Sequence, residues 1–176
     1  MSRRPAQESE KSSLPKTDII LPMSRRAGED WMALIVSRTK SHEFRKVRYP
    51  PTLRRIWFYE TAPISAIRYI CDVGSPVVRP PKHNLPPASS SAPSRGRRNF
   101  LPEDGSTGNS DYNAYHPDYA GYDYAYPILS CTKLAVPVDL AQMKDTFGIK
   151  GAPRGMVFVP DAMREAVELQ EQEKVW

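Results

Sequence analysis

The chain has 176 residues, enough for one domain of ordinary size, and its 18 prolines and mean hydropathy of -0.55 place a good part of it outside any core. The 25 Lys and Arg residues outnumber the 20 Asp and Glu, giving a net charge of +5 that favours an anionic partner. Nucleic acid suits that charge better than an acidic lipid surface, because no basic amphipathic helix accompanies it. No apolar run approaches the roughly 20 residues needed to span a bilayer. The opening MSRRPAQESEKSSLPK lacks the apolar stretch of a secretory signal, so the sequence reads as an intracellular protein, cytoplasmic or nuclear, with no membrane contact.

Residues 1–17 are polar and charged and are expected to form a disordered basic tail, with Arg3-Arg4 and Arg25-Arg26 prolonging the positive footprint. Asp18-Ile19-Ile20-Leu21 reads as a first strand stopped by Pro22. Ser24 or Gly28 is then expected to cap a helix running to about Arg38, with Glu29 and Asp30 in its first turn. Trp31, Leu34 and Ile35 share one helical face. Strands are expected near 42–48, 54–60 and 66–73, broken at Pro50-Pro51 and Ala62-Pro63. In the last of them Ile67, Tyr69, Cys71 and Val73 alternate with Ala66, Arg68, Ile70 and Asp72, which places Cys71 in a core.

Composition changes near Arg79. Residues 79–125 are rich in Pro, Ser, Gly and Tyr, carry no periodic apolar face, and are expected to be a mostly disordered insertion between two parts of one domain, 18–78 and 126–160. Its last stretch holds Tyr112, Tyr115, Tyr119, Tyr122 and Tyr124, leading to Tyr126. Such rings can stack on unpaired bases, yet Asp111, Asp118 and Asp123 lie among them without a Lys or Arg, which favours packing or self-association. A strand is expected over 126–136, then a helix capped by Asp139 and stopped by Gly148, then a closing strand over 156–159. Residues 161–176 read as an acidic amphipathic helix with Asp161 as cap and Met163, Val167 and Ala166 on its buried side, packed on the barrel or offered to a protein partner.

Chemistry-bearing motifs are few. There is no phosphate-binding GxxxxGK[ST] loop and no GxSxG elbow, and Gly148-Ile149-Lys150-Gly151 lacks the helix-loop-helix setting of a backbone clamp. His42, His83 and His116 are dispersed, and Cys71 and Cys131 are too few and too far apart in sequence for a zinc site or a disulfide framework. Neither a metal nor a cofactor is expected. What remains is the basic stretch Arg38, Lys40, Arg45, Lys46, Arg48, Arg54, Arg55 and Arg68 around a helix-to-strand corner. Two residues apart on a strand, Glu43 and Arg45 face the same way, and Lys40 can reach back from the turn. Glu43 can then accept from the exocyclic amine of a base while Arg38, Lys40, Arg45 and Arg68 hold phosphate, and Trp57 or Tyr59 supplies a stacking wall. Alternatively Glu43 pairs with Arg45 or Arg68 and only closes the barrel.

The run Ser37-Arg38-Thr39-Lys40-Ser41-His42-Glu43-Phe44-Arg45, with its Lys-x-x-Glu-x-Arg core, resembles the signature of ASCH domains, the activating signal cointegrator homology family of the PUA-like superfamily. Ile56 to Pro63, followed by Ala66 to Gly74, is similar to the second half of that pattern. The resemblance implies an α+β fold, a small PUA-like β-barrel of about five to six mostly antiparallel strands with flanking helices, and a protein that binds RNA or other single-stranded nucleic acid. It also implies a rival. Some small ASCH proteins are amidohydrolases on acylated cytidine, and a ribonuclease has been attributed to the family. In this chain the family's catalytic Lys falls on Lys40, but its Thr falls on Glu43, which is no hydroxyl nucleophile; Ser41 is the nearest hydroxyl. The enzyme reading therefore rests on Lys40, Ser41 and Glu43, and the binding reading on Arg38, Lys40, Glu43, Arg45, Trp57, Tyr59 and Arg68. A third reading is a scaffold that engages a protein through the Tyr tract or the last helix.

Overall fold

The computed structural model describes residues 15–25, 28–84 and 100–176. Most of the expected tail, and residues 85–99 of the expected insertion, lie outside the described residues. Lys16 and Thr17 are tied down: the Thr17 carbonyl accepts from the Arg54 and Arg55 amides at 2.7 and 3.2 Å.

Among the described residues, eight strands make one mixed sheet. They are β1 (Asp18–Met23), β2 (His42–Arg45), β3 (Arg55–Glu60), β4 (Ala66–Val73), β5 (Val77–Val78), β6 (Tyr124–Asp139), β7 (Val157–Phe158) and β8 (Glu173–Lys174). The order is β2-β6-β4-β3-β1-β7, with β5 and β8 as short additions on β6. Every pair is antiparallel except β1 with β3, where Ile19 faces Ile56 and Leu21 faces Phe58. The sheet curls into a half-barrel of the α+β PUA-like kind. Four short α-helices among the described residues flank it: α1 (Trp31–Val36), α2 (Asn109–Asn113), α3 (Leu140–Asp145) and α4 (Asp161–Ala166).

β1 and β3 read as unbroken apolar runs because both their faces are covered. Ile19, Leu21, Ile56 and Phe58 point to the side of α1, where Met32 and Ile35 are buried with them. Ile20, Trp57 and Tyr59 point to the other side, onto Met143 of α3 and Met163 of α4. Pro22 does not end β1; it sits beyond Ile19 and Ile20, the two residues that pair with β7, where β1 has a free edge and a missing amide costs nothing.

Four local expectations are corrected. α1 is capped by neither Ser24 nor Gly28 but by Asp30, whose carboxylate accepts from the Ala33 amide at 3.0 Å. β6 runs to Asp139 through Pro127 and Pro137, because its amide-poor positions fall where partners change. The acidic C-terminal helix is only six residues long: Val167 takes an extended conformation, and the chain turns through Leu169–Glu171 so that Lys174 can pair with Thr132 of β6. Strand pairing overrides the weak helical preference of this stretch. Met163 is fully buried as expected, whereas Ala166 is exposed.

The largest correction concerns residues 100–125, which are folded. Arg79 is 1% exposed and organises them. Its Nη1 donates to the Tyr112 carbonyl at 2.5 Å, and its Nη2 to those of Tyr119 and Tyr122 at 2.7 and 3.3 Å. Asp123 balances the charge at 3.2 Å, and the guanidinium lies 4.4 and 4.3 Å from the ring centres of Tyr112 and Tyr115. Phe44, Leu101, Tyr112 and Ala125 close a third apolar cluster. Gly108 allows the segment to pass: its φ is +88°, and a Cβ there would lie 2.3 Å from Tyr119 Oη and 2.8 Å from Phe44 Cε2.

Candidate functional site

The folded Tyr segment is one wall of a cleft of about 780 Å³, within the range of small-molecule sites. The end of β1 and the chain entering α1 also line it, through Met23, Ser24, Glu29 and Trp31, as do β2 and the residues beside it, here called the floor. Thr107, Gly108, Asp111, Tyr119 and Tyr122 face the opening from the Tyr segment.

The floor carries the constellation read from the sequence. Lys40 and Glu43 are 5% and 6% exposed, and Lys40 Nζ donates to Glu43 Oε2 at 3.0 Å and to the His42 carbonyl. Arg45 Nη2 lies 2.7 Å from the other Glu43 oxygen. Glu43 is thus clamped between two cations. Burial alone would raise its pKa, but the attraction of Lys40 and Arg45 outweighs it, and the carboxyl is held below its usual range. The Lys40 ammonium is lowered, by burial first, with Glu43 opposing. Arg45 Nε is buried and has no partner among the described residues, so one donor on the floor is unused.

The cleft is not uniformly basic. Lys40, Arg45 and Lys46 line it, but so do Glu29, Glu43, Asp111 and Asp118. Lys46 lies 4.8 Å from the Tyr122 ring centre, so the positive edge is beside that tyrosine and the negative edge beside Asp111 and Asp118. Tyr119, edge-on to Phe44 at 5.0 Å, has its hydroxyl pushed up to about 12 by burial and by Asp111.

Of the site residues assigned from the sequence, Lys40, Glu43 and Arg45 line this cleft, and Arg38, Ser41, Trp57, Tyr59 and Arg68 do not. Arg38 stacks on Trp176 at 4.7 Å, away from it. Trp57 is completely buried and donates to Asp18 Oδ2 at 2.9 Å, and Tyr59 is 2% exposed in the second core cluster. Both point away from α1 because alternation along β3 sends them to the α3 side. Arg68 makes a bidentate pair with Glu60 at 2.7 and 2.6 Å. Ser41 lies behind the floor, its hydroxyl 2.9 Å from His42 Nδ1 and 3.4 Å from Asn109 Nδ2. Sequence reasoning missed Trp31, Lys46, Tyr119 and Tyr122 as cleft residues; the tyrosines were visible, but the aspartates among them argued against a site. Among the described residues no cluster of His, Cys, Asp or Glu could hold a metal ion, and no helix is long and apolar enough to cross a membrane.

A curled mixed sheet with a cleft between its first helix, its β2 corner and an inserted segment defines a PUA-like barrel. Comparison with solved structures specifies it further. The ASCH protein of Zymomonas mobilis superposes with a TM-score of 0.55 at 19% identity, over 90% of this chain and 98% of that one. A serine-to-alanine mutant of that protein gives 0.55 at 18% identity, and a tyrosine-to-phenylalanine mutant 0.52 at 18%. The fold of this chain is that of an ASCH domain. No protein-family model matches the sequence, and no curated protein matches it either.

Proposed function

We propose that this chain binds single-stranded nucleic acid, RNA before DNA, with one unpaired nucleotide seated in the cleft. The observation that carries this is that Tyr119, Tyr122 and Trp31 line one cleft together with Lys40, Glu43 and Arg45, whose ion pairs fix them in place. An unpaired base presents a π-face to such a wall, a contact worth about 1–3 kcal/mol by alanine substitution. Glu43 takes a different part from the one its sequence position suggests. Both its oxygens are engaged, so it orients Lys40 and Arg45, and these two cations set the charge of the floor that the base meets. The phosphate chain follows the Lys46 edge towards Arg48, because Asp111 and Asp118 repel it from the other edge. The test is fluorescence anisotropy with short single-stranded RNA across a salt series. Lys46→Ala with Tyr122→Ala weakens binding about tenfold or more and lowers the salt slope by about one. Unchanged affinity and slope would remove the cleft from the reading.

A second reading has one specific observation behind it. Lys40 is a buried amine whose pKa is lowered, in contact with a carboxylate at the base of a cleft, which suits an activated lysine. It would make the chain a hydrolase of modified nucleosides or of RNA. N4-acetylcytidine and short RNA, each incubated with the protein, discriminate: product that is lost in Lys40→Ala favours the enzyme, and binding without product favours recognition alone. The scaffold reading has less to stand on, since Tyr112 and Tyr126 are spent in the core and Tyr119 and Tyr122 on the cleft, and the last helix is a single short piece.

A further inference from the structure

Cys71 and Cys131, separated in sequence by the whole of residues 79–125, are directly opposite one another on β4 and β6. Both are fully buried free thiols in the first core cluster. The kind of pairing matters. The Cys131 amide donates to the Trp176 carbonyl at 3.1 Å, and the Cys131 carbonyl accepts from the Val175 amide at 2.8 Å. In a strand the amide and carbonyl of one residue point to the same side, so those of Cys131 face the C-terminal segment and not β4. The two cysteines therefore form a non-hydrogen-bonded antiparallel pair, whose Cα atoms are about 4.5 Å apart, inside the span a disulfide bridges.

We propose that Cys71 and Cys131 are a cross-strand dithiol that low-molecular-weight disulfides of the glutathione class convert to an internal disulfide. The thiolate of one cysteine attacks a sulfur of oxidised glutathione, forming a mixed disulfide and expelling one glutathione thiolate. The second cysteine attacks the protein sulfur of that mixed disulfide and expels the other. Two thiols of the chain are oxidised, one glutathione disulfide is reduced to two thiols, and the protons lost on thiol ionisation are taken up by the departing thiolates.

The closed fold protects the pair. The Cys71 thiol is raised well above its ordinary range by its hydrogen bond to Cys131 and by burial, the same hydrogen bond holds the Cys131 thiol below its ordinary range, and complete burial keeps both sulfurs from solvent in the closed state. Val175 and Trp176 pack on the cluster that contains both sulfurs, and the strap is held by two residue pairs of β8, by its backbone bonds to Cys131 and by the Trp176 Nε1 bond to the Val36 carbonyl. Lifting the strap frees the backbone of Cys131 and exposes the edge of β6. Once formed, the bridge staples β4 to β6, next to the stretch of β6 that carries β2 and the cleft floor.

Refolding tests this without requiring the closed protein to react. The reduced, urea-unfolded full chain is returned to native buffer containing oxidised and reduced glutathione, and then analysed by intact mass and peptide mapping. The expected product has lost two hydrogens, shows one cross-linked peptide pair joining positions 71 and 131, melts several degrees higher than the reduced form, and reverts with dithiothreitol. Cys131→Ser gives no internal bridge. A folded product with two free thiols, or with glutathione attached to either cysteine and no bridge, would overturn the proposal. Native protein incubated in the same buffer gives the same two readouts where refolding is incomplete.

Discussion

Replacing Arg79 by alanine is the sharpest perturbation of the cleft wall. The guanidinium donates to the carbonyls of Tyr112, Tyr119 and Tyr122 and to Asp123, and sits against the rings of Tyr112 and Tyr115. Its loss leaves the Tyr122 carbonyl without a donor, leaves those of Tyr112 and Tyr119 with only the Tyr115 and Tyr122 amides at 3.3 and 3.1 Å, and unpairs a carboxylate that is only 25% exposed. Each buried acceptor left unmade costs about 1–3 kcal/mol, and breaking a buried charge pair about 3–5 kcal/mol. These costs do not add in full, because residues 100–123 can detach and rehydrate while the sheet stays folded, at the expense of exposing Leu101 and Tyr112. The expected outcome is about 3–5 kcal/mol lost in urea unfolding, with faster amide exchange across 109–123 under native conditions. Arg79→Lys recovers little, since a point charge cannot serve three carbonyls or fill the slot between two rings. The assay is hydrogen exchange by mass spectrometry alongside equilibrium unfolding. Wild-type protection of 109–123 in Arg79→Ala would refute the role given to this residue.

Gly108→Ala places a Cβ against Tyr119 and Phe44 at positive φ, and is expected to cost about 2 kcal/mol or more and to weaken RNA binding; thermal melts and anisotropy check both. Trp57→Phe leaves a buried Asp18 oxygen short of its donor, and is expected to lower stability by about 1–3 kcal/mol without changing RNA affinity, which separates a core tryptophan from a base-stacking one. Glu43 has a folded pKa below its unfolded value, so its stabilisation is complete above the unfolded carboxylate range near pH 4.3 and is lost as pH falls through the folded pKa. Glu43→Gln is expected to flatten that acid limb and to lower stability at pH 7, where Lys40 loses its partner; an unaltered acid limb would show the pair to be unimportant. His42 is depressed by burial first and then by Lys40, so His42→Asn is expected to reduce the loss of stability as pH falls below about 6.5.

The sheet was legible where physics is local. Alternation in β4, the apolar runs of β1 and β3, and the Asp139 cap, which accepts from the Gln142 amide at 2.7 Å, follow from neighbouring residues alone. The Lys40, Glu43 and Arg45 cluster was legible too, because residues two apart on a strand share a face. The folded insertion was not: its order comes from one arginine 33 positions before Tyr112, and no pattern within the tract announces a buried cation upstream. Trp57 and Tyr59 were misjudged because aromatic residues on a strand look alike whether they face a cleft or a second core layer. The position of Arg38 and Arg68 outside the cleft was illegible for a similar reason: Trp176 and Glu60, their partners, meet them only in the folded sheet. The same holds for Cys71 and Cys131, which become neighbours only through the β4–β6 register.

Ultraviolet crosslinking of the full chain to short single-stranded RNA, with the adducts mapped by mass spectrometry, addresses the binding site itself. Crosslinks at Trp31, Tyr119 or Tyr122 are the predicted result. Crosslinks confined to other surfaces, with none on these three residues, would contradict a nucleotide-holding cleft.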